Sequence, residues 1–158
     1  MKTIFLDVDG VLNCDETEDC IGGYMGIEYC AVKMLKEIVD ATGAQIVLCS
    51  SWKEDWYKVK KVKQDKLANY LDKRLAEEGL TIADKTVDKV WNRGEGIINY
   101  LKEHPEITTW IILDDEIYDD YEETGCMLHL VQTAWHDGGL KECHVQEAIE
   151  KLTREAMV

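Results

Sequence analysis

This sequence predicts an α/β protein built on a parallel five-stranded sheet with helices on both faces, and three observations carry that prediction. Short apolar runs alternate along the chain with stretches of helical periodicity. Parallel neighbours need crossover connections, which the intervening helices supply. Three of the runs end in chemically suggestive polar residues, Asp7 with Asp9, Ser50 with Ser51, and Asp114 with Asp115. Ligands of such sheets bind beyond the carboxyl ends of the strands.

The first run, Ile4-Phe5-Leu6-Asp7-Val8-Asp9-Gly10-Val11-Leu12-Asn13, is an apolar strand that ends in two aspartates and a glycine. Residues i and i+2 of a strand project to one face, so Asp7 and Asp9 are expected to converge as exposed strand-end acids while Gly10 lets the chain bend away. Residues 13–27 are rich in Asp, Glu and Gly without a helical period and should form a turn or short hairpin, a flap over the aspartates. From Ala31, the apolar residues Met34, Leu35, Ile38 and Val39 make a helical stripe that ends at Gly43. Residues 44–49 read as a short buried strand.

A polar, helical stretch follows from Trp52, with Leu67, Tyr70, Leu71 and Leu75 spaced for one buried face before Gly79. Residues 80–83 form a brief third strand. Asn92 is positioned to cap a helix with the inner face Ile97, Ile98 and Leu101, Glu95 completing an approximate capping box and Pro105 lying beyond the end. Residues 109–113 supply the fourth strand and residues 126–131 the fifth. Val145, Ala148, Ile149 and Leu152 mark a closing helix.

With 158 residues, 46% of them hydrophobic, the chain suffices for one full core, and a single domain over 1–158 is expected. No run approaches the roughly 20 apolar residues needed to cross a bilayer, and the first residues lead into a strand rather than a signal sequence. A cytoplasmic protein with no membrane partner is the expectation. Cys14, Cys20, Cys30, Cys49, Cys126 and Cys143 contain no Cys-x-x-Cys pair, and reduced thiols are the better reading. A formal net charge of −14 argues against tight non-specific nucleic-acid binding, though not against a local basic pocket for one phosphate. The basic cluster over residues 58–63 reads as a solvated helix face and receives no site.

Two acids at one point repel each other unless a cation or a shared proton compensates, and a divalent ion with oxygen ligands, magnesium above all, is the natural remedy. Two acids, a hydroxyl and two further acids at neighbouring strand ends suit metal-assisted phosphoryl transfer, whose transition state needs cations and hydrogen-bond donors around the phosphoryl oxygens. Tyr24, Trp52, Trp56 and Tyr57 could stack a nucleobase, but burial against the sheet is the favoured reading. The four histidines, His104, His129, His136 and His144, are scattered and read as structural or exposed.

The opening segment resembles the first motif of the haloacid dehalogenase-like (HAD) superfamily, whose fold is a Rossmann-like sheet. The resemblance makes Asp7 a nucleophile, giving an aspartyl-phosphate, and Asp9 a general acid and base. Ser50, with Ser51 as its substitute, resembles the hydroxyl of the second motif, and Gly10 joins them at the phosphate. Arg93 at its helix start resembles the basic residue of the third motif, with Lys89 a rival because lysine is more frequent there. Ile111-Ile112-Leu113-Asp114-Asp115 with Asp119 resembles the fourth motif. This implies Mg2+ held by Asp7, Asp9 and Asp115, with Asp114 and Asp119 supporting.

Cys49-Ser50-Ser51-Trp52, Arg93-x-x-x-Ile97, Leu113-Asp114-Asp115, Thr133 and Gly139-Leu140 look like small HAD domains, some found in RNA-repair-associated proteins. Neither gap that houses a cap domain in larger relatives is long enough here, so the site should be open. An open site suits a phosphorylated substrate larger than the pocket, such as a nucleic-acid end or a phosphoprotein. The implied activity is a magnesium-dependent phosphatase acting on a phosphomonoester. A HAD-like binding or regulatory module without turnover and a phosphotransferase are the competing readings.

Overall fold

The computed structural model describes residues 1–59, 64–89 and 91–154. Its main sheet has five parallel strands, β1 (Lys2–Leu6), β4 (Gln45–Leu48), β5 (Ile82–Lys85), β6 (Thr109–Asp114) and β7 (Leu130–Gln132), in the order β5-β4-β1-β6-β7. A separate two-stranded hairpin, β2 (Cys20–Ile21) and β3 (Tyr24–Met25), lies within the acidic and glycine-rich segment after β1. The helices are α1 (Tyr29–Thr42), α2 (Lys66–Ala76), α3 (Arg93–Glu103), the single turn α4 (Tyr121–Thr124) and α5 (Glu142–Thr153).

Alternation along the strands gives the sheet two apolar faces. Ile4, Leu6, Ile46, Leu48, Ile111, Leu113 and Val131 pack beneath α1, α2 and α5 with Val32, Leu35, Ile38, Leu71, Val145 and Leu152. Phe5, Val47, Cys49, Ile112 and Leu130 face Ile97, Tyr100, Tyr121 and Cys126 of the opposite layer. Both faces are dry, so the polar residues are driven to the strand ends. Register aligns those ends, with Leu6 paired to both Leu48 and Leu113. The ladder continues one bond further on each side, Asp7 N–H donating to Leu113 O (2.9 Å) and Cys49 N–H to Leu6 O (2.9 Å).

Three expected elements sit elsewhere. The third strand runs over Ile82–Lys85 rather than 80–83, because the Leu80 N–H closes the end of α2 on Leu75 O (2.9 Å) before the chain joins the sheet. Cys126–His129 is a 3-10 turn rather than the start of the fifth strand; the chain reaches register opposite Ile112 only at Leu130. The stretch after Trp52 opens with a 3-10 turn, Ser51–Lys53, and becomes helical only at Lys66, where Asp65 caps its first turn. Lys58 pairs with Asp84 (3.3 Å), while residues 60–63 of the basic cluster lie outside the described residues. All six cysteines are free thiols, and no helix among the described residues is long and apolar enough to cross a membrane.

Candidate active site

The carboxyl edge of the sheet gathers the acids through Arg93. One guanidinium nitrogen of Arg93, at the first turn of α3, lies 3.1 Å from Asp7 Oδ1 and donates to Asp114 Oδ2 at 2.7 Å. Arg93 and both aspartates are buried. Tyr121 O–H also donates to Asp114 Oδ2 (3.1 Å), and the Glu116 N–H donates to Asp114 Oδ1 (3.0 Å). Both Asp114 oxygens therefore already accept hydrogen bonds, whereas Arg93 keeps a buried Nε–H without an acceptor. Tyr118 lies with its ring 4.3 Å from the Arg93 guanidinium carbon and holds the cation from its open side.

Arg93 is set by a helix start that the sequence explains only in part. The Asn92 side chain makes no cap; it donates instead to Glu95 Oε2 (3.1 Å). The expected capping box is replaced by Asp120, whose carboxylate accepts from Gly94 N–H (3.1 Å) and Glu95 N–H (2.8 Å). Gly94 makes that approach possible, since a methyl group there would lie 2.6 Å from Thr124 Oγ1 and 2.9 Å from Asp120 Oδ1. Asp120 thus anchors the loop after β6 to the helix that carries Arg93. Lys89, the rival basic residue, is exposed one turn earlier, and its carbonyl accepts the Asn92 N–H.

Asp7, Asp114 and Asp115 bring carboxylate oxygens within 4.8 Å of one another. Among the described residues this is the one cluster of acidic, His or Cys side chains assembled closely enough to hold a metal. Burial, then the Asp114 charge, holds the Asp7 carboxyl well above the ordinary carboxylate range against the opposing pull of Arg93. Burial, followed by Asp114 and Glu116, pushes Asp115 up to about 6. Three crowded carboxylates facing one cation are short of positive charge. Hard oxygen donors in that state fit a divalent ion such as magnesium.

Gly10 is essential to the crowding. It adopts φ +80, and a Cβ there would fall inside the Asp115 carboxylate. Its N–H donates to Asn13 Oδ1 (2.9 Å) and its carbonyl accepts from Thr133 Oγ1 (2.6 Å), so both polar groups are engaged within the protein. The segment around Gly139 and Leu140 packs on the same loop, Leu140 N–H donating to Val11 O (2.9 Å).

Asp9 does not join the cluster. Regular strand pairing ends at Leu6, and residues 8–12 coil so that Val11 N–H and Leu12 N–H both donate to Val8 O, which removes the alternation that would align Asp9 with Asp7. Asp9 is exposed and held from two sides, Oδ1 by the Asn13 amide (3.0 Å) and Oδ2 by the Trp52 indole N–H (3.0 Å). Trp52 and Trp56 are buried as expected, while Tyr24 projects from the hairpin. Asp19 ties that hairpin segment to α2 by accepting from Tyr70 O–H and Arg74 (3.0 Å).

Ser50 is fully buried at the end of β4, its Oγ accepting the Trp52 N–H (3.2 Å). Ser51 is exposed and lines a cavity of about 550 Å3 together with Asp7, Asp9, Arg93, Asp115, Glu116, Tyr118, Trp135 and His136. His136, bonded to Asp15 at 3.0 Å, stands at that mouth although sequence gave it no role. Asp119 is exposed and outside the carboxylate cluster. The residues that sequence reasoning missed act by holding other groups in place: Tyr118 and Tyr121 hold Arg93 and Asp114, Asp120 holds the backbone at the start of α3, and Asn13 holds Asp9 and the Gly10 N–H. Only Asn13, the last residue of the opening motif, carried a local signal.

A family model described as the HAD domain in Swiss Army Knife RNA repair proteins matches residues 3–145. The chain belongs to that family. No curated protein and no solved structure matches it.

Proposed function

We propose that this HAD domain, of a family with phosphatase-type hydrolase character, is a magnesium-dependent phosphatase that hydrolyses a phosphomonoester through an aspartyl-phosphate on Asp7. The observation that carries the reading is the Arg93 bridge between Asp7 and Asp114, beside Asp115 at the floor of an open cavity. Arg93 fixes the Asp7 carboxylate so that one oxygen is directed and the other is free to attack phosphorus. Its remaining donors, with Ser51 at the rim, offer hydrogen bonds to non-bridging phosphate oxygens.

Asp9 then has a separate task from a separate position. Held by Asn13 and Trp52 in the wall of the same cavity, it gives a proton to the departing alkoxide. It next takes a proton from the water that attacks the phosphoryl group on Asp7. The phosphorus–Asp7 oxygen bond breaks, inorganic phosphate leaves, and both carboxylates return to their starting state. Asp7 and Asp115 would hold the ion, with Asp114 supporting, because the oxygens of Asp114 already have donors. A bound magnesium ion supplies charge neutralisation between carboxylates and phosphate.

The substrate's phosphate belongs to a nucleotide or nucleic-acid end, a reading supported by the RNA-repair family description and the open mouth of the cavity. The test is phosphate release from an aryl phosphate with magnesium by the purified protein. Activity should vanish in Asp7→Asn, and full activity in that variant would overturn the mechanism.

A further inference from the structure

A second cavity, of about 380 Å3, opens beside the first and shares Ser51, Arg93 and Tyr118 with it. Nothing in the mechanism uses it. Its other walls are Lys53, Glu54, Lys85, Thr86, Val87, Asp88 and Trp91. Trp91 stands apart from the core, 73% exposed and with its backbone at φ +76. A bulky side chain in the left-handed region is a backbone outlier, and among the described residues Trp91 belongs to neither apolar core. Val87 next to it is also exposed. Strain that displays an indole at the rim of a cavity points to a ligand face.

The polar wall is equally specific. Lys53 pairs with Asp88 and donates to Thr86 Oγ1 (3.4 Å). Lys85 donates to Lys53 O (2.8 Å), and among the described residues no carboxylate lies within ion-pair distance of it. A third cavity is lined by Asp9, Ser51, Glu54, Asp55 and Asp65 together with the hairpin's Tyr24, with no basic residue in its wall. The cavity at Trp91, which sets Lys53 and Lys85 against Glu54 and Asp88, is the less acidic exit from the carboxylate cluster.

Resting on the phosphatase reading, we propose that the cavity at Trp91 is the leaving-group subsite, and that its occupant is the nucleoside of the nucleotide whose phosphate lies at Asp7. The indole stacks on the base, while Lys85 offers a donor and Asp88, held by Lys53, an acceptor to its edge. A phenol ring would use the stack but not that polar edge, so a nucleoside fits the wall better than a phosphotyrosine does.

The test compares a nucleoside monophosphate with glycerol phosphate. Trp91→Ala should lower the ratio of their kcat/KM values roughly tenfold, within what one base-to-aromatic stack contributes. Trp91→Gly, which relieves the φ, should do the same, and Trp91→Phe should retain most of the preference. An unchanged ratio in both small variants would overturn the subsite while leaving the phosphatase reading intact. A kcat/KM for phosphotyrosine equal to or above that for the nucleoside monophosphate would overturn the nucleoside assignment. Titration of Asp7→Asn with adenosine monophosphate, read by indole fluorescence, gives the answer independently of turnover. Quenching that disappears when Trp91 is also replaced supports the subsite even if no substrate is hydrolysed, in which case the phosphatase reading alone fails. Quenching indifferent to Trp91 contradicts the subsite.

Discussion

The two proposed catalytic aspartates stand two residues apart and are held in opposite ways. Asp7 is buried, continues the sheet's ladder through its own N–H, and meets a guanidinium that also grips Asp114. Asp9 is exposed on a coiled segment, held by one amide and one indole. The first position is a product of strand register and buried charge balance. The second is a product of two side-chain hydrogen bonds. A nucleophile that must face phosphorus along one line gains from rigidity, whereas an acid that serves a leaving group and then a water gains from contact with solvent.

If that contrast is right, breaking the two sides should have unlike consequences. Arg93→Ala leaves two buried carboxylates without their cation, and removal of one partner from a buried ion pair costs about 3–5 kcal/mol. Urea unfolding should show a loss of that size in metal-free protein, together with loss of phosphatase activity. Trp52→Phe keeps the ring in the core but deletes the N–H that holds Asp9. The expected result is a roughly tenfold fall in kcat, a part of what positioned acid–base catalysis contributes. Because Asp9 can turn to water, the change in unfolding free energy should stay below about 1 kcal/mol.

A smaller effect concerns pH. Asp7 and Asp115 keep their protons to higher pH in the fold than in the unfolded chain, where aspartate titrates near 4. At Asp115 the folded state therefore binds more protons than the unfolded chain between about 4 and about 6, and Asp7 adds to this in the same direction. Their contribution to stability is fully present below that window and is lost as pH rises through it. Asp115→Asn removes the Asp115 part of the effect. Melting temperatures with chelator should show the parent losing ground to this variant as pH rises through about 6, and magnesium should restore the parent above that point by binding the ionised form. A parent that gains on the variant over the same range would contradict the crowding of Asp7, Asp114 and Asp115.

The same contrast explains how much could be read from the chain. Strand positions, the dry faces and the alignment of Asp7, Ser50 and Asp114 follow from apolar alternation, a property of neighbouring residues. Arg93 was legible as a basic residue at a helix start, but its choice over Lys89 depends on where that helix begins, and Asp120 fixes that from 26 residues away. The Asp9 clasp escaped because i, i+2 reasoning holds only while the strand lasts, and pairing ends at Leu6. The shifted fifth strand shows the reverse error. Residues 126–129 look apolar enough for a strand, yet Gly125 at φ +79 starts a 3-10 turn there. Tyr118 and Tyr121 carry no local mark at all, since their value lies in Arg93 and Asp114.

The central claim, that Asp7 rather than Asp9 bonds to phosphorus, is tested most directly by rapid acid quenching of the protein during turnover of an aryl phosphate, followed by mass spectrometry of its peptides. The phosphoryl group should be found on Asp7, and it should accumulate in Asp9→Asn, where the attacking water has lost its base. A phosphoryl group on Asp9, or full turnover in Asp9→Asn with no labelled peptide at any time point, would contradict the account.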